Sequence, residues 1–335
     1  MRLNLSIFGG MYVGMAVCVC GAFVLSLFTG FAVAQTMQVD PRLEPYERVS
    51  GISGSASSIG SDTMNNMMAL WLEGFRKYYP NVKIQIEGKG SSTAPPALIA
   101  GTAQFGPMSR PMKSTEVDKF EGQFQYPPTE LRTSLDALAV FVHKDNPIAA
   151  LTLPEVDAIF SKTRKGNSPE DITTWGQVGL DGQWAAAPIS LYGRNSASGT
   201  YGFFKSNALY KGDYKDQVKE QPGSASVVQG ITEDLYGIGY SGIGYTTSGV
   251  RVVPLSVEKG EPSSVGSLAD VVDGVYPLGR FLYLYINKAP GKPMDPVVRE
   301  FCKYIFSKEG QEVVIKDGYM PVPYEVVSEE LAKLQ

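Results

Sequence analysis

The sequence predicts an α/β protein with two lobes, each a largely parallel sheet flanked by helices. Its 335 residues are enough for about two domains. Short strand patterns alternate with longer helical patterns, which is typical of parallel sheets joined by helices. Two apolar strands, 135–142 and 281–286, bracket the middle of the chain, so we expect the chain to leave one lobe and later return to it. The predicted segments are a leader at 1–34, a linker at 35–48, lobe 1 at 49–142 and 279–335, and lobe 2 at 143–278.

The leader has the pattern of an export signal. Arg2 precedes an uncharged, largely apolar stretch that ends in Ala32-Val33-Ala34, the small-x-small pattern that a signal peptidase cuts. We therefore predict a signal peptide, cleavage near Ala34, and a mature protein that is periplasmic or otherwise secreted. The apolar stretch is longer than that of an average signal, so a retained membrane anchor is the alternative.

The predicted first lobe begins with an amphipathic helix. Residues 64–79 place methionine and aromatic side chains at spacings of three and four, so these side chains share one face. A core-facing surface is the stronger prediction, and a methionine-rich binding groove is the alternative. A strand at 82–86 follows, and Pro95-Pro96 open a second helix. The strand at 135–142 ends in a break, where we expect His143 to be a hinge or surface residue rather than a catalytic one.

The second half of the chain continues the alternation. We expect a strand at 188–192, the returning strand at 281–286, and helices at 152–161, 200–210, 225–233, 295–306 and 308–317. Gly237-x-Gly239-x-x-Gly242 formally matches a dinucleotide-binding fingerprint, but it lacks the following helix and the acidic residue about twenty positions on. A glycine-rich strand and turn is the better interpretation. Cys302 lies within an apolar helical pattern, which favours a small buried residue over a reactive thiol.

The composition argues against several classes of function. Lys and Arg total 30 against 34 Asp and Glu, a net charge of −4, so no general basic field exists to hold nucleic acid. His143 is the only histidine and there are three cysteines, which argues against a zinc site or a Ser-His-Asp triad. Any anion that the protein binds must therefore be held by local geometry.

Four short loops rich in glycine and hydroxyl residues precede predicted helices or turns. They are Gly60-Ser61-Asp62-Thr63, Gly90-Ser91-Ser92-Thr93, Met108-Ser109-Arg110-Pro111 and Arg194-Asn195-Ser196-Ala197-Ser198-Gly199-Thr200. The free N–H groups and partial positive charge of a helix start favour anions, and hydroxyl groups add donors. Arg194 presents a planar fork that suits two oxygens of a tetrahedral oxyanion. Any one loop is most simply a helix cap, whereas four loops spread over two lobes can converge on one ligand.

With these loops, the sequence resembles the periplasmic phosphate-binding proteins of ABC transporters over roughly residues 50–325. The resemblance implies a two-lobed periplasmic-binding-protein fold, or Venus flytrap, whose hinge strands let the lobes close on dehydrated phosphate. It places the following residues around the anion: Thr63, Ser91, Ser109, Arg194, Ser198, Gly199 and Thr200.

Two positions depart from the family pattern. Better-known members carry an aspartate at the position of Ser109, where it accepts the proton of bound phosphate, and an acid at the position of Ser196. We expect Asp62 to be the compensating acceptor, its simpler role being a helix cap that faces solvent. We expect Arg110 to add a second positive charge, and Ser61 completes the predicted site.

The predicted function is that of an exported solute-binding protein, not an enzyme. It captures inorganic phosphate, or a similar tetrahedral oxyanion, between its lobes for delivery to an ABC permease. We expect a monomer that uses no metal and no organic cofactor. An exported phosphoester hydrolase is one alternative, although a single histidine with scattered acids supplies neither a metal cluster nor an activated nucleophile. A sensory or adhesive module that keeps the fold is the other.

Overall fold

The computed structural model describes residues 37–335, so the predicted signal peptide at 1–34 and its cleavage near Ala34 lie outside the described residues. Residues 37–48, predicted as part of a linker, form no helix or strand. Tyr46 is nevertheless buried, and its backbone N–H donates to the Glu309 carboxylate at 2.8 Å. The backbone N–H of Lys308 donates to the carbonyl of Glu44 at 2.9 Å. The segment therefore packs against the C-terminal part of the chain.

The described residues form eleven strands and ten α-helices. The strands are β1 (Gly54–Gly60), β2 (Val82–Gly88), β3 (Gly106–Met108), β4 (Thr129–His143), β5 (Leu151–Thr152), β6 (Ser190–Arg194), β7 (Lys219–Gln221), β8 (Gly237–Gly242), β9 (Val250–Val252), β10 (Leu255–Ser256) and β11 (Gly279–Ile286). The helices are α1 (Asn65–Tyr78), α2 (Ala94–Ile99), α3 (Ser114–Phe124), α4 (Leu153–Phe160), α5 (Gly199–Asn207), α6 (Ser224–Thr232), α7 (Leu268–Val272), α8 (Pro296–Ile305), α9 (Lys308–Lys316) and α10 (Tyr324–Ala332).

The long strand β4 connects the two lobes. Its residues 129–137 pair antiparallel with β11, and its residues 138–142 pair antiparallel with β8. The sheet therefore runs β3-β11-β4-β8-β6-β7, with β9 paired to the end of β4. Lobe 1 lies on the β11 side of β4, and lobe 2 lies on the β8 side. The boundaries predicted at residues 142 and 278 stay a prediction.

The strands pair in parallel away from this connection. β1 pairs with β2 in parallel, and β6 pairs in parallel with both β7 and β8. Antiparallel pairing is concentrated at β4 and β11, which carry the chain between lobes. The predicted parallel pairing thus holds for β1 with β2 and for β6 with β7 and β8, and the larger sheet is mixed because β4 and β11 pair antiparallel with their neighbours.

The amphipathic helix α1 packs onto the core of lobe 1. Met67, Met68, Trp71 and Phe75 on its apolar face are all fully buried, which confirms the core-facing prediction. Burying each apolar side chain of this size stabilises the fold by about 1.5–3 kcal/mol. Trp71 also donates its indole N–H to the carbonyl of Gly310 at 2.8 Å, which fixes α1 against α9.

The predicted helices and strands are confirmed, with ends that differ by up to three residues, except that β4 begins at Thr129, six residues before the predicted start. The segment Gly237–Gly242 is a buried strand, and a short 3-10 turn at Ile243–Tyr245 follows it instead of the α-helix of a dinucleotide-binding motif. This agrees with the interpretation of a glycine-rich strand and turn. Cys302 is buried in α8, and burial raises the pKa of its thiol. The helix α3 was not predicted, although Val117, Phe120 and Phe124 recur at helical spacings of three and four and pack together in one apolar cluster.

Candidate functional site

Three loops of lobe 1 meet the start of α5 from lobe 2. The backbone N–H of Gly90 donates to the carbonyl of Gly60 at 2.7 Å, and that of Ser61 donates to the carbonyl of Pro107 at 2.7 Å. These bonds hold the three loops side by side. Across the lobes, the backbone N–H of Ser92 donates to the carbonyl of Ala197 at 3.1 Å. The four loops predicted from the sequence therefore converge.

Four hydroxyl groups form a continuous chain where these loops meet. The Oγ atoms of Ser91 and Ser109 are 3.2 Å apart, and Ser109 Oγ is 3.4 Å from Thr200 Oγ1. Thr200 Oγ1 is in turn 3.0 Å from Thr63 Oγ1. All four side chains are buried, with exposures of 0–1%. We call Thr63, Ser91, Ser109 and Thr200 the hydroxyl cluster; it contains residues from both lobes.

Gly199 makes the close approach of α5 possible. A Cβ atom at this position would lie 2.2 Å from Ser91 Oγ and 2.6 Å from Ser109 Oγ. No real side-chain carbon tolerates such distances, so any larger residue has to push the loops apart. Ser198, the residue before it, caps the helix and accepts a hydrogen bond from the backbone N–H of Tyr201 at 3.3 Å.

We expect Gly199→Ala to weaken anion binding by about 1–3 kcal/mol, the usual effect of overpacking, because it keeps the two lobes from closing around the hydroxyl cluster. Titration calorimetry with phosphate measures the affinity, and small-angle scattering measures the closure. Gly202→Ala is the matched control in the same helix, since its Cβ would meet only the Arg110 side chain, at ordinary contact distances of 3.6 and 3.8 Å. Equal affinities for the two variants would contradict this account of Gly199.

Arg194 is buried at the other end of the site, with 1% exposure. Its guanidinium donates to Ser224 Oγ at 2.6 Å and to the carbonyl of Pro222 at 3.2 Å. The Asp62 carboxylate lies 3.3 Å from Nη2, and its Oδ2 also accepts a hydrogen bond from the Ser224 backbone N–H at 2.8 Å. Burial lowers the pKa of Arg194, and the charge of Asp62 opposes that change.

Two atoms at this end keep free hydrogen-bonding capacity. Among the described residues, the Nε of Arg194 is buried and has no hydrogen-bond partner. Asp62 uses Oδ2 for its contacts with Arg194 and Ser224, which leaves Oδ1 as an acceptor. Asp62 is half-buried, so it does not face solvent as a simple cap would. Arg194 and Asp62, whose side chains contact each other through Nη2 and Oδ2, thus offer one unused donor and one unused acceptor.

Arg110 has a different role from the one predicted. Its guanidinium makes two hydrogen bonds of 2.7 Å to the carboxylate oxygens of Glu116 and donates to the carbonyl of Pro111 at 2.8 Å. Its contact toward the loops is a long hydrogen bond of 3.4 Å to Ser92 Oγ. The Glu116 carboxylate balances the Arg110 charge, and no hydrogen bond within the described residues joins Arg110 to the hydroxyl cluster.

The second cation of the site is Arg280, which the sequence analysis missed. Its Nη2 donates to Thr200 Oγ1 at 3.0 Å, and its Nη1 donates to the carbonyl of Ser109 at 2.8 Å. Asp136 balances its charge through bonds of 2.8 and 2.9 Å. The available signal was that Asp136 lies within the predicted strand 135–142 and Arg280 directly precedes the predicted strand 281–286. Only the antiparallel register, which sets Arg280 opposite Asp136, brings the two together.

Two tyrosines fix the Asp62–Thr63 backbone. Tyr245 donates its hydroxyl to the carbonyl of Asp62, and Tyr319 donates its hydroxyl to the carbonyl of Thr63, both at 3.1 Å. Burial raises the pKa of each phenol, so both stay protonated and keep donating. The loop that carries Asp62 is therefore held from both sides.

The arrangement is suited to holding a tetrahedral oxyanion. It concentrates hydroxyl donors, the first-turn N–H groups of α5 and two buried guanidinium groups, and it places one carboxylate acceptor among them. Within residues 37–335, no group of three or more His, Cys, Asp or Glu side chains is placed to hold a metal ion. No helix in the same part of the chain is long and apolar enough to span a membrane.

The fold and the site together define a solute-binding protein, with two lobes on connecting strands and hydroxyl and guanidinium groups where the lobes meet. A family model described as a PBP superfamily domain matches residues 48–309. The phosphate-binding protein PstS of Pseudomonas aeruginosa is 53% identical over 303 residues, covering 90% of this chain and 94% of its own. The chain belongs to the PBP superfamily and, within it, to the family of PstS.

More distant proteins extend the comparison. PstS of Staphylococcus haemolyticus is 29% identical over 290 residues, which cover 85% of this chain and 86% of its own. The crystal structure of an ABC-type phosphate transport receptor from Vibrio cholerae superposes with a TM-score of 0.61 at 20% identity, covering 80% of this chain and 100% of that one. At that identity the superposition shows the fold, and it agrees with the two-lobed architecture.

Proposed function

We propose that this protein captures inorganic phosphate between its lobes and delivers it to an ABC permease. The observation that carries the proposal is the hydroxyl cluster, in which buried hydroxyl groups from both lobes meet and Thr200 accepts a hydrogen bond from Arg280. These groups replace the hydration of the anion, and closure of the lobes excludes water. The 53% identity to a protein named as phosphate-binding supports phosphate among the tetrahedral oxyanions.

Export completes the proposal. Residues 1–34 act as a signal peptide, cleavage occurs near Ala34, and the mature monomer works in the periplasm or outside the cell. Mass spectrometry of the exported protein tests this assignment through its first residue, expected to be Gln35. A chain that retains the leader identifies an anchored form instead.

We expect phosphate to stabilise the protein against heat and to bind at one site per chain, because a ligand that binds only the folded state raises its stability by mass action. Arsenate, which has the same geometry and protonation, should compete with it. Sulfate, molybdate and pyrophosphate should shift the melting temperature much less. The measurements are a thermal-shift panel with these five anions, followed by titration calorimetry with phosphate.

The same preparation distinguishes the alternative functions. A binding protein leaves a chromogenic phosphate ester intact, whereas turnover of that ester would identify a phosphoester hydrolase. A protein that none of the five anions stabilises would be a sensory or adhesive module with the same fold. Either result would replace phosphate capture as the function.

A further inference from the structure

Arg280 and Asp136 form a buried ion pair on the strands that connect the lobes. Arg280 lies on β11, directly opposite Asp136 on β4. Their side chains are 2% and 0% exposed, and Asp136 Oδ2 accepts hydrogen bonds from Nε at 2.9 Å and from Nη2 at 2.8 Å. These two bonds fix the plane of the guanidinium. Because burying two charges costs desolvation energy, stability alone is a weak reason for such a pair.

The guanidinium of Arg280 contacts both lobes. In lobe 1, Nη1 donates to the carbonyl of Ser109, the residue after β3, at 2.8 Å. In lobe 2, Nη2 donates to Thr200 Oγ1 on α5 at 3.0 Å. Its Cζ also lies 5.2 Å from the ring centre of Phe203, a second residue of α5, which is within the range of a cation–π interaction. Arg280 therefore joins α5 to the lobe 1 side of the site.

The contacts of Arg280 differ in whether they need the lobes to be together. Asp136 and Ser109 lie with Arg280 on the lobe 1 side, so these bonds persist when the lobes separate. Thr200 and Phe203 move with lobe 2, so their contacts with Arg280 exist only in the closed arrangement. An interaction that is present in one of two arrangements raises the population of that arrangement.

Building on the proposed phosphate capture, we infer that Arg280 is a positioning residue that acts as a latch: held by Asp136, it retains α5 through Thr200 and Phe203 and so slows the release of phosphate. Phosphate enters while the lobes are apart, when Arg280 does not contact α5. The latch therefore acts mainly on dissociation, the step in which most affinity differences between related complexes arise.

The test is the rate at which bound phosphate leaves, measured with radiolabelled phosphate and an excess of unlabelled phosphate. The main variant is the double substitution Arg280→Gln with Asp136→Asn, which leaves neither charge of the pair without its partner. We expect release to become about tenfold faster, because a hydrogen bond from a charged group is lost together with the ring contact. Calorimetry gives the dissociation constant, and hence the association rate constant, which should change by less than about threefold.

Phe203→Leu separates the latch from a direct contact between Arg280 and the anion. This substitution removes the aromatic ring and leaves the hydrogen-bonding groups of Arg280 in place. Release should become about threefold faster, because the cation–π interaction that holds α5 is lost. If Arg280 acted only as a ligand of the anion, Phe203→Leu would release phosphate at the parent's rate.

Arg132→Gln is the matched control. Arg132 also lies on β4, pairs with Glu329 and Glu330 of α10, and has its Cζ 5.4 Å from the ring centre of Phe281 on β11. It thus has the same kinds of contact as Arg280, but all of these partners lie on the lobe 1 side. The control should release phosphate at the parent's rate.

The outcomes separate the latch from the proposed function. If either the double variant or Phe203→Leu releases phosphate at the parent's rate, the latch is overturned and phosphate capture stands. Equal acceleration in Arg132→Gln also overturns the latch, since it would show a general loosening of the fold. A parent that binds no phosphate overturns the proposed function itself. If the double variant does not fold, the release rate of Phe203→Leu decides alone.

Discussion

Replacing Arg194 with alanine should weaken phosphate binding by at least about 2 kcal/mol, roughly thirtyfold. The guanidinium is 1% exposed, and its unpartnered Nε is free to donate to the ligand. Without it, a desolvated anion faces the Asp62 carboxylate with no cation between them. The fold should survive, because Asp62 is partly exposed and can be solvated by water. Titration calorimetry gives the affinity, and thermal unfolding without ligand gives the stability.

Arg251→Ala is the matched control for this loss. Arg251 is a partly buried arginine on β9 that donates to the backbone carbonyl of Asn146 at 2.7 Å, outside the hydroxyl cluster. Its removal should change stability and leave phosphate affinity at the parent's value. Unchanged affinity in Arg194→Ala would remove Arg194 from the site.

Asp62→Asn should reduce the preference for phosphate over sulfate by at least about a hundredfold. Phosphate carries a proton near neutral pH and sulfate carries none, so the half-buried carboxylate of Asp62 accepts a hydrogen bond from the first and repels the second. An amide at this position can donate to sulfate, which removes the penalty. Ser109 cannot supply the discrimination, since its hydroxyl can donate as well as accept. Competition calorimetry with both anions measures the ratio.

The control for Asp62→Asn is Asp234→Asn. The Asp234 carboxylate accepts a hydrogen bond from the Tyr192 hydroxyl at 3.0 Å and lies outside the hydroxyl cluster. It should leave the ratio of the two affinities unchanged. If the parent excludes sulfate and Asp62→Asn does so equally well, Asp62 is not the acceptor that discriminates. If the parent binds both anions equally, the protein is a broader oxyanion carrier.

Local pattern was sufficient for much of the fold. The apolar face of α1 can be recognised from the spacing of its side chains along the sequence. This spacing indicates a helix without any information about distant contacts. The glycine-rich strand β8 was likewise recognisable, because the features that a nucleotide-binding helix needs are missing from the adjacent sequence. The helix α3 was not predicted: its helical spacing depends on three apolar side chains, Val117, Phe120 and Phe124, and their packing with Leu98 and Met112 is a tertiary contact.

The sequence by itself determined which residues are available to form the site: four loops with hydroxyl groups at helix starts, and Arg194 just before one of these helices. Tertiary structure decided which of these groups meet. Arg110 pairs with nearby Glu116, whereas Arg280 reaches Thr200 from 80 positions away. Strand register places Arg280 opposite Asp136, and the approach of the lobes places Asp62 against Arg194. The physical reason is that the interaction between two charges depends on their distance in space, and this distance cannot be read from their separation along the chain.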